Sequence, residues 1–290
     1  MISRKELQFV NKKVGNIPYP GDEYAEAVMA ELKEAYNLYN SQYNGKSYSM
    51  ILSDGQEFQF SIMDKNLCHM LGISTKQLFN NEAAMSVASN VLGINGYTPT
   101  YEILQKIIDN SDAIIDNERK EGTFKLLNFY KIMVKSAIFK KMSTFKDFDF
   151  GFINFDKDKF NNNISYSTYS PNSTKYIFMP SEEVLIPYFM VGFVQDNNSE
   201  FHVPETVIAP EDYYKFFIDQ ELVLPLQVLI DDNQNFTKWV ASPQEKLKLL
   251  SRYKNIISKY NTRSKINIYN DYETVLTELA SKGNSKRLTM

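Results

Sequence analysis

Apolar residues recur along this chain at two spacings, every third or fourth position and every second position, and the switches between them mark its segments. After the break IPYPG, Asp22 opens a stretch in which Tyr24, Val28, Leu32, Tyr36 and Tyr39 follow one another at spacings of four and three. That is the stripe of an amphipathic helix, with Asp22 as its expected N-cap and an end near residue 43. The period then changes. SYSMILS and QEFQFSIM flank Asp54-Gly55, and Phe58, Phe60 and Ile62 alternate against Gln59 and Ser61, which predicts a hairpin around a two-residue turn.

The middle of the chain returns to helical spacing. Ser74 to Gln77 forms a capping-box pattern, Pro99 opens a helix through Tyr101, Leu104 and Ile108, and a longer helix is expected over residues 117–141 with Leu127, Tyr130, Val134 and Ile138 on one side. From Phe148 alternation resumes in FDFGFINF, NISYSTYS, TKYIFM, EVLIPYFMVGFV and EFHVPETVI, separated by Asn, Asp, Ser and Pro clusters that predict four or five short antiparallel strands. EDYYKFFIDQELVL reads as helical. A second capping box, Ser242 to Glu245, leads a stripe of Leu247, Leu250, Tyr253, Ile257 and Tyr260, and a last helix is expected over 271–282. The fold class is α+β, an antiparallel sheet with packed helices: an N-terminal helix and hairpin, a helical middle, a second β segment and C-terminal helices. Residues 231–235 are the expected boundary between a main domain, 1–230, and a helical extension, 231–290.

Composition narrows the chemistry. The 290 residues can bury a substantial core. One cysteine and two histidines supply neither a disulfide nor a zinc-ligand cluster, so structural zinc and iron–sulfur sites are excluded, a carboxylate-bound magnesium stays open, and no metal is assigned to the candidate site. With a net charge of −3, nucleic acid would have to be held by a local patch. No apolar run is long enough to span a membrane, and a cytoplasmic, soluble protein is expected. The phosphate loop GxxxxGK[ST], the dinucleotide fingerprint GxGxxG, the GxSxG elbow and HExxH are missing from the sequence, so no cofactor is expected either.

Candidate chemistry centres on NLCHMLGIS, residues 66–74. His69 either fills space, its ring N–H bonded to a main-chain carbonyl, or carries protons near neutral pH. Cys68, beside Leu67 and without a neighbouring cation, reads as packing. His202 is a second proton carrier or an idle strand residue. Pro204 lacks an N–H and marks a strand edge or bulge that can re-aim Glu205 and Thr206. Residues 165–174 are rich in hydroxyls, and Lys120, Lys135, Lys140, Lys141 and Lys146 lie on or just after the long helix. Together these can hold phosphate oxygens, with Tyr166 and Tyr169 as faces for unstacked bases.

The hairpin running into NLCHMLGI, followed later by VPETVI and EDYYKFFIDQE, resembles the phage-encoded nuclease-like domains of the Barnase/EndoU/colicin/RelE superfamily, in which a strand precedes a His-apolar-apolar-Gly signature. The resemblance covers residues 22–229 and implies a compact α+β fold and metal-independent RNA cleavage by a toxin or effector of phage–host conflict. Of the site residues, only His69 falls on a position of that signature. Chemistry and placement add His202, Lys120 and Thr206 to the catalytic candidates, and Tyr166, Tyr169, Lys140 and Lys141 to the substrate-binding ones. RNA is the partner this implies. The alternative is a non-catalytic phage-encoded protein that binds and inhibits a host defence complex, consistent with many tyrosines on an acidic chain.

Overall fold

The structure, a computed structural model, describes residues 4–74, 82–94, 98–156, 173–181, 187–196, 201–210, 216–232, 235–260 and 265–267. Helices α1 (Arg4–Val10) and α2 (Asp22–Leu38) lead into a π turn, Tyr39–Tyr43. The expected N-cap role of Asp22 is not realised. Gly21 holds the cap position, and the Asp22 carboxylate accepts from the Tyr19 hydroxyl and from Arg119 instead.

The hairpin forms as β1 (Ser47–Leu52) and β2 (Glu57–Ser61), with Tyr48 opposite Phe60 and Met50 opposite Phe58. Its loop has three residues rather than two, because Leu52 N–H bonds the Gln56 carbonyl across Ser53, Asp54 and Gly55, and Gly55 takes φ +82°. Helix α3 (Asp64–Met70) follows, then α4 (Glu82–Leu92), α5 (Thr100–Asp109) and α6 (Ser111–Glu121).

One long helix was expected over 117–141, but two are present. Gly122 ends α6 at φ +66°, and α7 (Phe129–Met142) starts afresh at Asn128. The Asn128 side-chain Oδ1 accepts from Lys131 N–H, while the side-chain Nδ2 donates to the main chain of Phe9, Val10 and Lys12. One cap therefore starts α7 and fastens the C-terminal end of α1.

Strands β3 (Gly151–Asn154), β4 (Lys175–Pro180), β5 (Tyr188–Gln195) and β6 (His202–Ile208) form the expected antiparallel run. NISYSTYS lies outside the described residues, as do the helices expected after Ser74 and over 271–282. The reading of EDYYKFFIDQELVL as helical is corrected at its end, where β7 (Glu221–Val223) pairs with β3. Leu222 and Val223 are buried on opposite faces of the sheet, a demand that a strand meets and one helical stripe does not. Then come β8 (Pro225–Asp231), β9 (Phe236–Val240), α8 (Pro243–Tyr260) and β10 (Lys265–Asn267). The expected boundary at 231–235 falls between β8 and β9, which pair with each other in the sheet.

Among the described residues the strands form one mostly antiparallel sheet, curled into a half-barrel, in the order β10-β7-β3-β4-β5-β6-β2-β1-β8-β9. Both faces are buried in its β3–β5 part, which explains the continuous apolar runs YIFM and FMVGF. Phe152, Ile177, Met179 and Val191 face the larger core, shared with α2 and α7, while Ile153, Tyr176, Phe178 and Met190 face a second core under α8. The capping box at Ser242 forms in both directions and starts α8.

Candidate functional site

Helix α3 is short because its end is built into the sequence. Ile73 N–H bonds the Cys68 carbonyl at 2.8 Å and Gly72 N–H bonds the His69 carbonyl at 3.1 Å, the paired bonds of a Schellman cap. Gly72 has φ +85°, and a Cβ there would lie 3.1 Å from the main chain of Lys131. Glycine thus serves twice, permitting the turn and letting α3 approach α7 closely. Leu67, Cys68, Met70 and Leu71 are buried while His69 is exposed. His69 stands in the last turn of this helix.

Two lysines of α7 converge on it. Lys135 is 7% exposed and its ammonium donates to the His69 carbonyl at 3.2 Å. Burial, and then the charge of Lys131, lower the Lys135 pKa to about 7; burial also lowers that of Lys131. Among the described residues neither lysine forms an ion pair with a carboxylate. Desolvation by the surrounding chain, then Lys135 and Lys131, lower the pKa of His69 to about 4, against an opposing hydrogen bond to the Glu205 main chain and the Glu205 charge. The His69 ring is therefore neutral at pH 7, able to accept a proton but not to supply one.

Glu205 reaches this corner through the irregularity that Pro204 marks. In the β5–β6 register Gly192 faces Thr206 and Phe193 faces Pro204, which leaves Glu205 as the extra residue of a bulge. The Ser173 hydroxyl donates to its carboxylate at 3.1 Å. Thr206 itself is buried, its methyl filling the space that a side chain at Gly192 would need, and it takes no part in the cluster around His69.

The remaining candidates lie apart. His202 Nδ1 contacts the Gln59 carbonyl at 3.1 Å and its ring packs 4.8 Å from Phe58. Burial is the main cause that lowers its pKa. No hydrogen bond, ring contact or charge interaction joins it to His69. Lys140 is bound to Glu31 and Glu34 on α2 at 2.5 and 2.8 Å, so its charge is already matched. Lys120 is exposed on α6, which packs on α2, α4 and α5 rather than on α3. Lys141 is half-buried at the end of α7, and Tyr166 and Tyr169 lie outside the described residues. Cys68 is packing, its thiol bonded to the Thr100 carbonyl at 3.2 Å and pushed up to about 12 by burial. Lys131 was missed by sequence reasoning. The available signal was its spacing, since residues 131, 135, 138 and 142 form one helical stripe that places two lysines in line with buried Ile138 and Met142.

Among the described residues no group of three His, Cys, Asp or Glu side chains could hold a metal ion, and no helix is long and apolar enough to cross a membrane. Comparison of the chain with family models, curated proteins and solved structures gives no match.

Proposed function

We propose that this protein cleaves RNA without a metal ion, with His69 as general base. The observation that carries this reading is the convergence of Lys131 and Lys135 on His69, with neither lysine in an ion pair with a carboxylate among the described residues. Two lysines beside a neutral imidazole suit a phosphodiester, and the resemblance of NLCHMLGI to the Barnase/EndoU/colicin/RelE signature supports the same chemistry. His69 takes the ribose 2′-hydroxyl proton, and the 2′-oxygen forms its bond to phosphorus as the bond to the 5′-oxygen breaks. Lys131 offsets the charge on the phosphate and returns a proton to the departing oxygen. Lys135 is a positioning residue. It holds the end of α3 by the His69 carbonyl and keeps the ring neutral.

Purified protein is to be incubated with tRNA, mRNA and rRNA in the presence of a chelator. Cleavage leaving 2′,3′-cyclic phosphate ends is expected, and His69→Ala should slow it by about 10²–10⁴-fold. No cleavage by the wild type, or full activity in His69→Ala, refutes the reading.

One observation favours the alternative, a non-catalytic inhibitor of a host defence complex. Strand β9 ends the sheet among the described residues, with Phe236 79% and Val240 58% exposed, and edge strands are templates for a partner chain. A stoichiometric protein captured from host lysate, with no nuclease activity, selects it.

A further inference from the structure

A second place in the molecule combines aromatic surface with unpaired positive charge. Between the C-terminal end of α7 and strands β1, β8 and β9 lies a cavity of about 280 Å³, near the lower end of the range of small-molecule sites. Tyr48, Phe145 and Trp239 supply aromatic surface. Tyr48 is locked, its ring stacked on Phe60 and its hydroxyl bonded to the Gln42 carbonyl at 2.7 Å. Trp239 is only partly buried and leaves indole surface open. Lys46, just before β1, and Lys146, in the 3₁₀ turn Phe145–Asp147, both line the cavity. The Lys46 ammonium donates to the Ser41 carbonyl at 2.8 Å, and neither lysine forms an ion pair with a carboxylate among the described residues. Asp232 also lines the cavity, but its Oδ1 accepts from Asn235 N–H and shapes the β8–β9 turn.

We infer that this cavity is a nucleotide-binding site, with the base against Trp239 and the phosphate between Lys46 and Lys146. A planar heterocycle gains from stacking on indole, and its phosphate gains charge-assisted bonds from two ammoniums. A protein of net charge −3 has no general field to hold such an anion, so the local pair carries the attraction. The inference is independent of cleavage at His69, which lies on another element.

Trp239 is the only tryptophan in the chain, so its emission reports on the cavity directly. AMP, CMP, GMP and UMP are to be titrated into the full-length protein, alongside the four nucleosides and inorganic phosphate. Saturable quenching by at least one nucleotide is expected, with its nucleoside weaker by about tenfold or more and phosphate alone without effect. In Lys46→Gln/Lys146→Gln, changed only at the rim, nucleotide affinity should fall to that of the nucleoside. The inference is overturned by no saturation with any nucleotide at roughly 10 mM, weaker than any useful site. Equal affinity for nucleotide and nucleoside, or for nucleotide and free phosphate, overturns it as well. The same titration on His69→Ala should be unchanged, which separates failure of this site from failure of the nuclease reading.

Discussion

The Lys135 ammonium donates to the main-chain carbonyl of His69 at 3.2 Å, so a nearly buried cation holds the last turn of α3 against α7. The contact joins a carbonyl at the helix C-terminus, where the macrodipole is negative, to a positive charge that has left water. Its consequences for ionisation can be measured without any assay of activity.

The first concerns His69 itself. Its pKa should lie near 4, well below the ordinary histidine value. In Lys135→Met it should rise, because one of the causes that lowers it is gone. The chain has two histidines, so ring-proton NMR titration of wild type, Lys135→Met and His202→Gln assigns and measures both. A His69 titration near 6.5 in the wild type would remove the desolvation and lysine charge on which the site depends.

If His69 is the base, the same number governs cleavage. The rate should rise through about pH 4 and show no inflection near 6.5, since the ring must be neutral to accept the proton. Lys135→Met should move that limb upward in pH together with the NMR value. A rate profile that stays put while the NMR value moves would detach His69 from the chemistry.

Lys135 also makes stability depend on pH. Its folded pKa, about 7, is depressed below the unfolded lysine value near 10.4, so between these the unfolded state binds more protons and stability rises with pH. Below pH 7 the cost of burying the charge is fully present. Lys135→Met should therefore be more stable than wild type in acid, on the order of 3 kcal/mol, with the advantage shrinking toward pH 10. Urea midpoints of both proteins at pH 6, 8 and 9.5 test the trend.

Gly72 and Gly45 make a matched pair. Both have positive φ, +85° and +70°, but a side chain at Gly45 meets nothing within 4 Å whereas one at Gly72 meets Lys131 at 3.1 Å. Gly45→Ala should cost about 1–2 kcal/mol from backbone strain alone. Gly72→Ala should cost more, about 2–4 kcal/mol with the added crowding. Equal losses in chemical denaturation would mean that the approach of α3 to α7 is loose.

The second core turns on Tyr253. Its fully buried hydroxyl donates to the Val223 carbonyl at 2.7 Å and accepts from Phe152 N–H at 3.1 Å. Tyr253→Phe strands both groups and should cost about 1–3 kcal/mol. Gly151→Ala is worse, since its Cβ would fall 2.0 Å from that hydroxyl; it should fail to give a cooperative thermal transition.

Local signals carried much of the fold. Alternation in QEFQFSIM specified β2 with Phe58 and Phe60 inward, Ser242 and Glu245 specified the start of α8, and Pro204 marked a strand edge or bulge, of which the structure forms the bulge. These succeed because they depend on neighbours within a few residues: side-chain period, capping hydrogen bonds and a missing N–H. The break at Gly122 was equally local, but the apolar spacing running across it concealed it.

By itself the sequence determined the α+β class, the hairpin, the capped start of α8 and the turn at Gly72 that frees His69 from the core. Only the tertiary structure decided what His69 meets. Lys131 and Lys135 come to it from more than sixty positions away and Glu205 from a bulge on β6, while His202 is turned to Gln59 and Phe58. The physical reason is that charge and desolvation act through space. The same imidazole would titrate ordinarily if those lysines faced water, and nothing in the spacing around NLCHMLGIS distinguishes the two cases.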